Sequence, residues 1–100
     1  MLSVNTDKTL TVTILEESMN IHNSETIIKE LKDAALNNTG DEFVIDFRNV
    51  LSIDSSAIAM LVGFVQVVAG VRKKLLIVNA KHSVRNAIKL LNLTQFLNLK

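Results

Sequence analysis

The sequence predicts an α/β layer fold built on a mixed sheet, and three observations carry that expectation. Leu10, Val12 and Ile14 alternate with Thr9, Thr11 and Thr13, the period of a half-buried strand. Ile27, Ile28, Leu31 and Ala35 recur at the spacing of one helical stripe. Strand-like and helix-like patterns then alternate to the end of the chain, in the order strand, strand, helix, strand, helix, strand, helix. Strands joined by helical crossovers run parallel, so the centre of the sheet should be parallel. The expected architecture is a sheet of four to five strands with helices mainly on one face.

The composition sets the frame. One hundred residues suit a single domain over 1–100. Hydrophobic residues make up 48% and aromatics only 4%, so the core is aliphatic. Cysteine is absent, which excludes disulfides and thiolate metal sites and fits a reducing compartment. A formal net charge of +1 implies no strong field for nucleic acid. Met1 to Asp7 has neither the basic start nor the apolar block of a secretory signal, so the expected location is cytoplasmic. Ala57 to Val71 is nearly all apolar, but as a helix it spans roughly 22 Å against a hydrocarbon core of ~30 Å. A buried helix of a soluble domain is expected there.

The elements follow in order. Leu2 to Thr6 reads as a first strand, with Asp7-Lys8 as a tight turn, and Thr9 to Glu16 as the second strand. Glu17 to Ser24 is polar and irregular; Asn23 or Ser24 can cap the first helix, with Glu25 in its first turn. Asn37-Asn38-Thr39-Gly40 stops that helix, Gly40 being suited to a left-handed terminator. Phe43 to Phe47 is a strand with Phe43, Ile45 and Phe47 on one face and Asp46 on the other, as an exposed or locally bonded carboxylate. A helix from Ser55 or Ser56 to about Gly70 shows little polar surface beyond Gln66. It is either covered on both sides or exposes an apolar patch to a partner. Arg72-Lys73-Lys74 complements its C-terminal end. Leu75 to Val78 suits a central strand. Ser83 can cap a last helix with Val84, Ala87, Ile88 and Leu91 as its buried stripe and Asn92 at its end. Gln95 to Leu99 is a short final strand or a packed tail.

Catalytic patterns are missing. His22 and His82 stand in separate polar segments, without a carboxylate or second histidine at ligand spacing. No serine lies in a G-x-S-x-G elbow, and Gly40, Gly63 and Gly70 form neither a phosphate loop nor a dinucleotide fingerprint. The expectation is a non-enzyme without cofactor or metal.

The stretch with chemistry to offer is Asp54-Ser55-Ser56-Ala57 at the mouth of the most apolar helix. Asp54 or Ser55 can act as its N-cap. A hydroxyl just inside a helix start is also exposed at the edge of an element. A phosphoryl group there adds about −1.5 to −2 charge beside the positive helix end, which the folded chain tolerates. A partner docked on the helix would meet that charge and be repelled. Modification can therefore switch binding without a large conformational change.

The run from Phe43 through Asp54-Ser55-Ser56-Ala57-Ile58-Ala59 resembles the STAS domain, whose pattern is a strand ending in aspartate and a small polar turn before D-S-S/T-G-L-G. Strand Leu75 to Val78, Ser83-Val84-Arg85 opening a helix, and Leu90 to Phe96 resemble the same family's tail. Ala57 and Ala59 stand where that pattern has glycines, and Ser18-Met19-Asn20 where it often has a glycine and an aspartate. The resemblance implies a bacterial anti-sigma factor antagonist. It would bind an anti-sigma factor that is also an ATP-dependent serine kinase, and a PP2C-type phosphatase would reverse the modification. Carried onto this chain, Ser56 is the phosphoacceptor, with Ser55 as the alternative, and Asp54 supports the acceptor loop. Ser55, Ser56, Ala57, Ile58, Met60, Leu61 and Phe64 are the expected partner-binding residues, some of which must face the sheet. Dimerisation is left open. The alternative is a STAS scaffold subunit of a larger regulatory or lipid/anion transport complex that is never phosphorylated.

Overall fold

The computed structural model describes residues 2–6, 9–37 and 40–100, the first of these segments as backbone only. The elements are β1 (Leu2–Thr6), β2 (Thr9–Ile14), β3 (Ser18–Met19), α1 (Ser24–Asn37), β4 (Glu42–Asp46), β5 (Ser52–Ile53), α2 (Ser55–Gly70), β6 (Lys74–Val78) and α3 (His82–Leu90). The expected tight turn at Asp7-Lys8 and the Asn38-Thr39 part of the helix stop lie outside the described residues.

The main sheet has the order β1-β2-β4-β6. β1 and β2 pair antiparallel, with Val4 opposite Val12. β2–β4 and β4–β6 are parallel, aligning Val12, Ile45 and Ile77 in one row. The sheet is thus mixed with a parallel centre, as the order of elements requires. On one face Leu10, Val12, Ile14, Phe43, Ile45 and Ile77 are wholly buried against the helices. The opposite face, with Thr11, Thr13, Val44, Leu76 and Val78, is half-buried. A period of two with one covered face gives this split.

The expected stripe of α1 is all buried: Ile27, Ile28, Leu31 and Ala35. α2 buries Ala57, Ile58, Leu61, Phe64 and Val68, the i, i+4, i+7, i+11 phase of one face. Phe64 meets Phe43 edge-on at 5.4 Å and 71°, locking α2 to the centre of the sheet. α1 packs alongside α2. The apolar helix is therefore covered on one side, and its outer ridge carries Ser55, Ala59, Gly63 and Gln66.

Several local expectations are corrected. β2 ends at Ile14, and Leu15 turns outward. Gly40 does take a positive φ, 138°, but three residues past the helix end rather than as its immediate cap. The residues that end α2 and α3 in the left-handed region are Arg72 (φ 60°) and Asn92 (φ 57°). Around each, paired backbone bonds close the helix: Arg72 to Ala69 with Lys73 to Val68, and Asn92 to Lys89 with Leu93 to Ile88. Lys73 reaches away from its helix and donates to the Gly40 carbonyl at 2.6 Å. β6 is an edge strand of the main sheet, not a central one. Its outer edge is covered by the tail, where Asn98 accepts from Ile77 N–H and Lys100 N–H donates to the Ile77 carbonyl. Leu99 bridges Ile77 in parallel, so Gln95 to Leu99 is a packed tail with one bridge. Ser83 does not cap α3: Lys81 occupies the N-cap without a side-chain bond, and the Ser83 hydroxyl donates to the Leu51 carbonyl at 2.7 Å. In α3, Val84 and Ile88 are buried, while Leu91 is exposed.

Candidate functional site

Asp54 organises the start of α2. Its extended backbone (φ −100°, ψ 172°) places it at the N-cap, where Oδ1 accepts from Ala57 N–H at 2.9 Å. The second carboxylate oxygen accepts from Ile21 N–H at 3.1 Å. One carboxylate thus ties the helix mouth to the loop before α1. The backbone repeats the tie, with Asp54 N–H donating to Met19 O at 3.0 Å.

That loop is brought there by the short β3–β5 parallel pair, which aligns Ser18 with Ser52 and Met19 with Ile53. Met19 anchors the pair in the core. Leu51 N–H donates to Glu17 O at 2.6 Å, extending the strap by one residue. Asn20 and Asn23 shape the loop. Asn23 accepts from Asn20 N–H at 2.9 Å and donates to Ser18 O at 2.6 Å; Asn20 accepts from His22 N–H at 2.9 Å. Asn23 therefore precedes α1 at the capping position, but its carboxamide is spent on the loop behind it. Two segments more than thirty residues apart, Ser18-Met19-Asn20 and Asp54-Ser55-Ser56, become one surface.

Ser55 is exposed and Ser56 half-exposed in the first turn of α2. Among the described residues, no side-chain hydrogen bond engages either hydroxyl. Both stand at the positive end of the helix dipole. Of the other expected partner-binding residues, Met60 is half-exposed, while Ala57, Ile58, Leu61 and Phe64 are those that face the sheet, all under 3% exposed. Their side chains face the sheet because α2 needs one fully apolar face for the core. The family-glycine positions separate in the same way: the Ala57 methyl points into the core, whereas Ala59 is on the outer ridge.

The sequence reading gave no site role to two exposed flanking residues. Ile21 is 67% exposed and bonded to Asp54; Leu51 is 51% exposed and bonded to Glu17 beside β3. The only signal for Ile21 was an apolar residue, one of two with Met19, within the polar segment Glu17 to Ser24. Behind the site, Asp46 is 3% exposed, not an exposed strand carboxylate. It is locally bonded: Arg48 Nε donates at 2.8 Å, Arg48 N–H at 2.9 Å and Asn79 Nδ2 at 3.2 Å. Burial alone would raise the Asp46 carboxyl, but the Arg48 and Asn79 bonds outweigh it and hold it below the ordinary aspartate value. Among the described residues, no group of three His, Cys, Asp or Glu could hold a metal ion. Among the described residues, no helix is long and apolar enough to cross a membrane.

Comparison with known proteins gives a consistent picture. The family model for the STAS domain matches residues 2–100. The fold is similar to an anti-sigma factor antagonist from Mycobacterium paratuberculosis, at TM-score 0.84 and 16% identity over 99% of this chain and 83% of that one. It is similar to the phosphorylated form of the Bacillus cell fate determinant SpoIIAA, at TM-score 0.69 and 15% identity over 100% of this chain and 89% of that one. It also matches part of the murine anion transporter Slc26a9, at TM-score 0.80 and 17% identity, covering 90% of this chain and 15% of the transporter. No curated protein sequence matches. The full-length family match, on a mixed sheet with helices against one face, shows that the chain belongs to the STAS domain family.

Proposed function

We propose that the chain is an anti-sigma factor antagonist in a bacterial partner-switching circuit, acting in the cytoplasm as one non-enzymatic domain. It binds an anti-sigma factor that is also a serine kinase. Transfer of the ATP γ-phosphoryl to Ser56, with Ser55 as the alternative acceptor, ends the binding. A PP2C-type phosphatase restores it. The observation that carries this reading is the Asp54 carboxylate, which caps α2 and ties Ile21 while leaving both adjacent hydroxyls unengaged at the helix mouth. The fold stands ready to accept charge there, because a helix N-terminus favours an anion. The contact surface is Ser55, Ser56, Ala59 and Met60 on α2, rimmed by Ile21 and Leu51.

The test is incubation with a captured candidate kinase and ATP, followed by mass mapping. Phosphate is expected on wild type and Ser55→Ala and absent from Ser56→Ala. A kinase that binds the chain yet leaves both serines unmodified overturns the switch. The likeness to part of an anion transporter favours a second reading, a non-phosphorylated STAS subunit of a larger regulatory or transport assembly. Binding that is indifferent to charge at residues 55 and 56 would support it.

A further inference from the structure

The near-zero net charge conceals a strong division along the chain. All ten Asp and Glu lie at or before Asp54, whereas residues 55–100 carry seven Lys and Arg and no carboxylate side chain. The fold does not simply carry that division to its two ends, since Lys81 lies with Leu15 and Leu51 near the serines, but it does gather Arg72, Lys74 and Lys89 at one end. β2, β4 and β6 are parallel, and each is followed by a helix. A right-handed crossover returns each helix to where the next strand begins. α1 and α2 therefore finish at the end of the sheet opposite Ser55. α3 finishes there too: the tail runs parallel to β6, with Leu99 beside Ile77 and Asn98 donating to Leu75 O, so Phe96 lies toward the start of β6.

The large exposed apolar side chains divide between the two ends. Leu15, Ile21 and Leu51 belong to the serine end. Leu36, Val71, Leu90, Leu91 and Phe96 all fall at or just past the ends of the three helices, Leu90 at 83% exposure. Arg72, Lys74 and Lys89 stand exposed among them. Among the described residues, exposed Asp33 near the end of α1 and Asp41 and Glu42 at the start of β4 are the carboxylates of this end, and Glu42 is aligned with Lys74.

We propose that this end of the molecule is a docking face for an anionic lipid surface. The apolar side chains are spread over three helix ends rather than gathered over one pocket. A protein partner would need a separate recess for each. A bilayer interface takes up scattered protruding Leu and Phe wherever they stand, while Lys and Arg beside them meet anionic headgroups. Docking leaves Ser55 and Ser56, at the far end of the sheet, facing away from the surface. The proposal does not depend on whether either serine is phosphorylated.

The experiment is co-sedimentation of the 100-residue chain with vesicles of phosphatidylglycerol and phosphatidylcholine, against phosphatidylcholine alone. Binding is expected to the anionic vesicles and not to the neutral ones, and to weaken at high salt. Lys89→Ser should reduce it roughly fivefold. Leu90→Ser with Phe96→Ser should abolish it while the chain still unfolds in one cooperative transition, since Leu90 is 83% exposed and Phe96 half-exposed. Lys89→Ser keeps the test decisive if the double variant misfolds. Absence of binding to anionic vesicles overturns the proposal, as does equal binding to both vesicle types. A concentration-dependent dimer that Leu90→Ser abolishes, without vesicle binding, would assign the face to a second copy.

Discussion

Asp54 does two jobs with one carboxylate, and its removal should show both. Asp54→Ala deletes the cap on Ala57 and the bond from Ile21. Loss of an N-cap alone costs about 1 kcal/mol, so chemical denaturation should report a loss of roughly 1–2 kcal/mol. Hydrogen exchange should quicken at Ile21 and Ala57 more than in β4. Asp46 is the other carboxylate with a measurable signature. Its pKa in the folded chain is lowered, so the unfolded chain takes up the proton first as pH falls. The stability it contributes is complete above the ordinary aspartate pKa and is lost as pH falls through the lower folded value. Asp46→Asn should therefore destabilise at neutral pH by about 1–3 kcal/mol and flatten the acid limb of the stability curve. Equal acid limbs for wild type and variant would contradict this. The two alanines at family-glycine positions should behave differently. Ala57→Gly loses a buried methyl as well as helix propensity, beyond about 1 kcal/mol; Ala59→Gly loses propensity alone.

At the scale of elements, the helix ends and the sheet edge make the sharpest predictions. Arg72 holds a left-handed conformation that glycine adopts without a Cβ penalty. Arg72→Gly should raise stability by up to about 1 kcal/mol, read from the denaturation midpoint. A loss would mean that the side chain contributes more than its backbone costs. β6 depends on the tail, which satisfies both backbone groups of Ile77 and buries Leu97. Leu97→Ala should cost about 2–4 kcal/mol. The long periodic elements were legible: the stripes of β2 and α1 appear in the sequence and in the core alike. The β3–β5 pair was not, because two residues have no period and only tertiary pairing defines them. Ser83 looked like a cap because sequence spacing cannot show that its hydroxyl would find Leu51, 32 residues away. β6 looked central because the tail covers its edge as another strand would.

At the scale of the whole molecule, α2 explains both what could be read and what could not. Its apolarity all round announced a helix central to the fold. The same property hid its phase, since no polar face marks which side turns outward. Which of Ile58, Met60, Leu61 and Phe64 face the sheet could therefore not be read from the sequence; Ile58, Leu61 and Phe64 do. The serine end is assembled from segments far apart in the chain, so Ile21 could not be read as the neighbour of the Leu51 to Ser56 stretch. The fold otherwise concentrates the proposed switch at a single point, the first turn of α2. The most direct measurement is the affinity of a captured anti-sigma kinase for wild type, Ser56→Ala and Ser56→Asp, with thermal melts in parallel. Ser56→Ala should bind like wild type. Ser56→Asp should bind at least about tenfold more weakly while its stability stays within about 1 kcal/mol, because a helix start tolerates the charge. Undiminished binding by a folded Ser56→Asp chain would contradict the account.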